Sequence, residues 1–183
     1  MVLFDAAILS IAIDPRAITP SDFRTGQPIP QARERVDALI ASLEQDNEAI
    51  VIPTPALAEA LTTLAEKAIE LTEQIEQRAC FRIKPFGKRD AIEVAMRTRA
   101  AILAGDKREG IADSWQKVKY DRQILAIAKT ENVSAIYSTD RGVHEHGKLW
   151  GIPVLHLADV PTGASTGSQL VLDDAPEEAG GSS

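Results

Sequence analysis

Four carboxylates stand where a sequence can do metal chemistry: Asp5, Glu59, Asp121 and Asp140. Asp5 closes the apolar run Val2-Leu3-Phe4, and Asp140 follows a later run, Ala135 to Ser138. Both runs read as buried strands. In open α/β sheets, ligands bind beyond the C-terminal ends of the strands. Glu59 lies one turn into the helix after the second strand, and Asp121 near the start of the helix that feeds the fourth. All four acids are thereby expected at one sheet edge. Carboxylates gathered in one crevice repel, so some must be protonated or a cation must sit among them. Mg²⁺ or Mn²⁺ suits such a site, because both take carboxylate and water oxygens in octahedral geometry. A metal held there can activate water for attack on a phosphodiester. Each acid taken alone also reads as an ordinary helix cap. Glu59 fits that reading least, because it interrupts the apolar run Ala56 to Leu61, where a buried acid without a partner is costly.

These acids need a frame to hold them. Val2-Leu3-Phe4 is expected as β1, followed by a short helix from Ala6 to Ile13 that stops before Pro15. Residues 14–30 hold four prolines and a glycine and form a loop. Gln31 to Leu43 carries the stripe Val36, Leu39, Ile40, Leu43 and is a helix. Ala49 to Ile52 is β2, closed by Pro53. Thr54 then caps a helix with Pro55 at its first position, and that helix runs with a break toward Arg78. Cys80 to Ile83 is expected as β3 at a sheet edge. Asp90 caps the next helix, with Glu93 as its capping-box partner, and the helix ends near Gly105. Residues 105–114 are a loop, Lys119 to Thr130 a helix, Ala135 to Ser138 β4, Gly142 to Trp150 a helix and Pro153 to Leu157 β5. Strands alternating with helices imply an α/β fold with a parallel, doubly covered sheet. Residues 1–160 are expected as one domain. Residues 161–183 are expected as a flexible acidic tail with one apolar patch, Leu170-Val171-Leu172.

Composition narrows the options. At 183 residues and 44 % hydrophobic content, the chain can bury the core of one soluble domain. A single cysteine, Cys80, makes neither an internal disulfide nor a cysteine zinc site and fits a reducing, cytoplasmic compartment. The start of the chain lacks a basic signal-peptide region, and no stretch is long enough to span a membrane. Net charge is −7, against a general nucleic-acid binder. The balance is uneven, however. Residues 78–122 hold twelve Lys/Arg against six Asp/Glu, a stretch that reads either as an RNA track or as solvated helix faces.

Several pieces together resemble the PIN domain, the fold of the toxin ribonucleases of VapBC-type toxin–antitoxin operons. They are Val2-Leu3-Phe4-Asp5, the run from Ile52 to Glu59, the run from Tyr120 to Ala128, and the run from Ile136 to Arg141. Asp90 to Ala95 resembles the helix before the third acid. The likeness covers roughly residues 1–158. It implies a PIN-like three-layer fold with a parallel sheet in order 3-2-1-4-5. It implies Mg²⁺- or Mn²⁺-dependent cleavage of RNA to 5′-phosphate and 3′-hydroxyl ends. It further implies a homodimer and inhibition by a cognate antitoxin protein. Carried over, Asp5 is the central metal ligand, Asp121 and Asp140 complete the site, and Glu59 binds or orients metal and water. Ala6 departs from the family, which carries Thr or Ser there, so hydroxyl support beside Asp5 is expected to be missing. Thr139 stands where Asn or Asp is common.

Arg141, Arg122 and Lys119 flank the acids and are candidates for phosphate contact; each also reads as a surface charge. His144 and His146, two apart on a helix, do not face one another and make no metal pair. His156, Trp115 and Trp150 read as packing residues. Ser10 and Cys80 have no paired base. The alternative function is an RNA- or protein-binding module on the same fold, without catalysis. A haloacid-dehalogenase-type phosphatase would need Asp at position 7, where Ala stands. A receiver domain would need adjacent acids and a late Lys, whereas the four acids here are scattered; a nucleotide enzyme would need a Gly-rich loop, and none follows β1.

Overall fold

The computed structural model describes residues 1–162. Apart from its first two residues, the expected acidic tail lies outside the described residues. Five strands form one parallel sheet: β1 (Val2–Phe4), β2 (Ile50–Pro53), β3 (Phe81–Lys84), β4 (Ala135–Ser138) and β5 (Val154–His156). Their order is β3-β2-β1-β4-β5, as the resemblance implies. β1 is central because all three of its side chains are apolar and buried, the pattern of a strand covered on both faces.

Alternation along β1 divides the core. Val2 and Phe4 face α1 (Ala6–Ile13) and α2 (Ala32–Gln45), in a cluster that includes Val36, Leu39, Ile40 and Leu43. Leu3 faces the other way, onto Ile124, Leu125, Ile127 and Ala128 of α6 (Trp115–Thr130) and Val143 of α7 (Arg141–Trp150). The helical stripes read from the sequence are the faces that pack. Among the described residues, no helix is long and apolar enough to cross a membrane.

Several element starts differ from expectation. The segment after β2 breaks as anticipated, into α3 (Thr54–Ala60), a 3₁₀ turn, and α4 (Ala68–Gln77), with Leu64 at a non-helical φ/ψ. Thr54, however, does not cap α3. Its hydroxyl accepts instead from the Phe86 amide at 3.1 Å, tying α3 to the segment after β3. α5 (Lys88–Leu103) starts before Asp90. Asp90 is therefore not the cap but an acid inside the first turn, accepting from the Gly87 amide at 2.7 Å. Glu93 pairs instead with Lys129 at 2.6 Å. The largest shift is α6, which begins at Trp115 rather than Lys119, because Ser114 caps it by accepting from the Lys117 amide at 3.2 Å. Asp121 accordingly sits two turns into α6, not near its start.

α7 packs on β5 through Gly147. A Cβ there would collide with Val154 Cγ2 and lie 3.0 Å from the Ile152 carbonyl oxygen, which is backbone and cannot swing aside. Gly147→Ala is expected to lower stability by about 1–3 kcal/mol, the usual cost of overpacking. Urea unfolding followed by circular dichroism checks this; a midpoint at or above wild type would contradict the packing.

Candidate metal centre

Parallel register builds the site. Leu3 pairs with Ile136 and Phe4 with Tyr137, so Asp5 and Ser138 emerge side by side at the C-terminal sheet edge. Asp5 caps α1, its Oδ1 accepting from the Ile8 amide at 2.9 Å. Its Oδ2 accepts from the Ser138 hydroxyl. That hydroxyl oxygen in turn accepts from the Asp140 amide at 2.9 Å. Asp140 caps α7, its Oδ1 accepting from the amides of Gly142 (2.6 Å) and Val143 (3.2 Å). At both positions one carboxylate oxygen caps a helix; the other accepts from Ser138 in Asp5 and lies toward the cleft in Asp140. Support beside Asp5, expected to be missing because of Ala6, comes from Ser138 across the strand pair.

Asp5, Glu59, Asp121 and Asp140 all line one cleft of about 550 Å³. Two of them, Asp121 and Asp140, form a compact group with Asp113, which lies outside that lining, and the ligand atoms of the three lie within 4.8 Å of one another; Asp5 and Glu59 are not part of this group. Asp113 comes from the loop before α6 and was not singled out from the sequence. Glu59 is exposed in the cleft wall. The burial cost argued from its apolar neighbours is thus not incurred, because α3 turns that position to solvent.

Burial dominates the electrostatics of Asp5. Its carboxyl is pushed up to about 7 by desolvation, against the hydrogen bonds from Ser138 and Ile8, with the charges of Asp140 and Glu59 adding to the rise. Asp121 is buried and its Oδ2 has no hydrogen-bond partner. The fully buried His146 ring places Nδ1 3.5 Å from that oxygen, without hydrogen-bond geometry. His146 therefore backs Asp121, whereas His144 turns to the Ser138 carbonyl at 3.1 Å. The two histidines do not share a site.

A lysine reaches the group. Lys117 Nζ lies 2.7 Å from Asp140 Oδ2 and 3.5 Å from Asp121 Oδ1. Burial lowers the Lys117 ammonium's pKa, but the Asp140 hydrogen bond and the charges of Asp121, Asp140 and Asp113 outweigh it, leaving a net rise. Lys117 was missed because the sequence placed it before α6. With the Ser114 cap, it stands at i−4 from Asp121 on the same helix face.

The expected phosphate contacts fare differently. Arg122 is fully buried, its guanidinium donating to Thr98 (2.9 Å), the Lys107 carbonyl (2.7 Å) and Glu109 (2.8 Å). It therefore has no open face for a phosphate, a correction forced by its helix face pointing at α5. Lys119 is exposed beside the Trp115 ring. Arg141 is exposed and paired with Glu145 at 2.7 Å. Neither lines the cleft. Much of the basic stretch is likewise paired, as in Arg78–Glu44, Lys84–Glu131 and Arg97–Glu109.

Gly142 is the second residue of α7, and its lack of a side chain makes room for the acids. A Cβ there would collide with Asp113 Oδ2 and lie 3.0 Å from Asp140 Oδ1 and 3.1 Å from Asp121 Oδ2. Gly142→Ala should spread the three carboxylates. Side-chain ends can swing, and Ala favours a helix by about 1 kcal/mol over Gly, so the thermal midpoint should change little. Mn²⁺ affinity measured by calorimetry is expected to fall at least about tenfold; unchanged affinity would exclude this group as the metal site.

No protein-family model matches the sequence, and no curated protein matches it. A chain in a solved structure of FitAB bound to IR36 DNA fragment does match. The TM-score is 0.55 at 22 % identity, over 88 % of this chain and 98 % of that one. At that identity the likeness concerns the fold, which is the PIN-like three-layer α/β arrangement with sheet order 3-2-1-4-5.

Proposed function

We propose that this chain is a metal-dependent endoribonuclease and the toxin of a toxin–antitoxin pair. The observation that carries the chemistry is the unpartnered, buried Asp121 Oδ2 within a group of three carboxylates that closes around Gly142. Such a donor set is hard, anionic and oxygen-only, and fits Mg²⁺ or Mn²⁺. Asp121 and Asp140, with Asp113 of the same group and Asp5 from the adjoining strand end, would hold the ion, and Glu59 would stand beside them; when bound it lowers the pKa of an attacking water and stabilises the leaving oxygen. Ser138 and the Ile8 amide fix both oxygens of Asp5. Amides at the start of α7 fix Asp140 Oδ1 and leave Oδ2 for the cleft. Glu59, exposed at the cleft wall, in this reading orients the water and takes its proton.

The substrate in this reading is RNA, cut to 5′-phosphate and 3′-hydroxyl ends. The partners are a second copy of the chain and a cognate antitoxin protein, and the place of action is the cytoplasm. The domain in this reading spans residues 1–160. The antitoxin part rests on the resemblance of the sequence motifs to the PIN family, and the likeness to a chain of FitAB bound to DNA supports the fold beneath it. One observation favours the non-catalytic binding module: Lys117 already balances part of the acidic charge. Purified protein incubated with total RNA separates the readings. Cleavage with Mn²⁺ that stops with chelator is expected; RNA binding with no cleavage at any Mn²⁺ concentration would leave the binding module.

A further inference from the structure

We propose that Lys117 is the exchangeable counter-ion of the carboxylate site, a positioning residue whose ammonium stands where a divalent cation binds and must leave for it. The inference rests on the metal reading above. Nζ contacts the cleft-facing Oδ2 of Asp140 at 2.7 Å and Oδ1 of Asp121 at 3.5 Å. Those carboxylates belong to the same three-acid group, compact enough for one ion to span. Asp140 Oδ1 is committed to the α7 amides, so Oδ2 is the oxygen that a cation and Lys117 both need. Two cations cannot share it, because each repels the other at contact distance in a partly dry cleft.

The geometry also provides an exit. The Lys117 side chain is 38 % exposed and lines the cleft rather than lying beneath it. Its flexible four-carbon stem can swing the ammonium into the open space without moving α6. Asp121, by contrast, is held in the buried floor with His146 behind it. The carboxylates therefore stay while the ammonium moves. Without metal, Lys117 keeps Asp121 and Asp140 together against their repulsion. With metal, that task passes to the ion. The consequence is a threshold: the cation concentration at which the site loads is set higher by Lys117 than the acids alone would set it.

The experiment is Mn²⁺ binding by calorimetry, in the absence of RNA, to wild type, Lys117→Met and Lys117→Gln. Melting temperatures are recorded in chelator and in saturating Mn²⁺. Both variants are expected to bind Mn²⁺ about tenfold more tightly, within the usual range of coupling between competing ligands. Both should also melt lower than wild type in chelator and gain more from Mn²⁺. A merely structural role would lower melting in both conditions and leave Mn²⁺ affinity unchanged. Equal or weaker affinity in both variants overturns the proposal. Absence of Mn²⁺ binding in all three proteins has a different signature and overturns the metal reading together with it.

Discussion

Asp5→Asn is expected to abolish RNA cleavage and yet to yield a protein more stable than wild type above pH 7 in chelator. The two effects share one cause. Asp5 is buried, and its carboxyl sits at about 7 instead of the ordinary 3.8, mainly through desolvation. The folded protein therefore holds a proton there that the unfolded chain has released. Between about pH 4 and 7 the folded state binds more protons, so stability falls as pH rises through that window. Below the window the stabilisation is fully present; above it the loss levels off. At 1.36 kcal/mol per pKa unit, the rise corresponds to a loss on the order of 4 kcal/mol. Asn carries no charge to desolvate. Its Oδ1 can accept from the Ile8 amide, and its Nδ2 can donate to the Ser138 oxygen. Chemical denaturation at pH 4, 5.5 and 7.5 in chelator should show a downward slope in wild type and a flat line in the variant. Activity moves the other way. Losing one anionic ligand removes several kcal/mol of charge stabilisation, about 10³-fold or more in rate. Unchanged Mn²⁺-dependent cleavage by the variant would place the chemistry elsewhere.

Arg122→Ala should lose stability rather than RNA affinity, by about 3–5 kcal/mol, the cost of breaking a buried ion pair by removing one partner. Arg122 is fully buried, and Glu109 is mostly so. The guanidinium joins α6 to Thr98 of α5 and to the loop at Lys107 and Glu109. Deleting it strands those acceptors and leaves Glu109 paired with Arg97. It also frees the segment that carries Asp113. Guanidinium unfolding measures the loss. A variant as stable as wild type but weaker for RNA would restore Arg122 to the substrate surface.

Much of this was legible locally. Asp5 and Asp140 follow apolar runs, and a parallel sheet puts the ends of its strands at one edge. The periodic stripes on α2 and α6 named the faces that pack. What was misread turns on short-range competition. Ser114, not a later residue, starts α6, and moving the start by four residues changes which side chains share a helix face. Asp90 resembled a cap because an acid in the first turn and an acid before it carry nearly the same signal. Thr54 had the residue type of a cap, but its hydroxyl serves Phe86, thirty-two positions away.

The sequence alone directed four acids to one sheet edge, and they line one cleft there, because strand ends in a parallel sheet share an edge. It could not show what lies between them. Asp113 and Lys117 enter the group through the placement of a loop and the start of a helix. Ser138 supports Asp5 through strand register, and Gly142 matters through the space it leaves. Tertiary structure decided these, because distances of a few ångströms between side chains far apart in sequence depend on how elements pack, and local propensity carries no record of that.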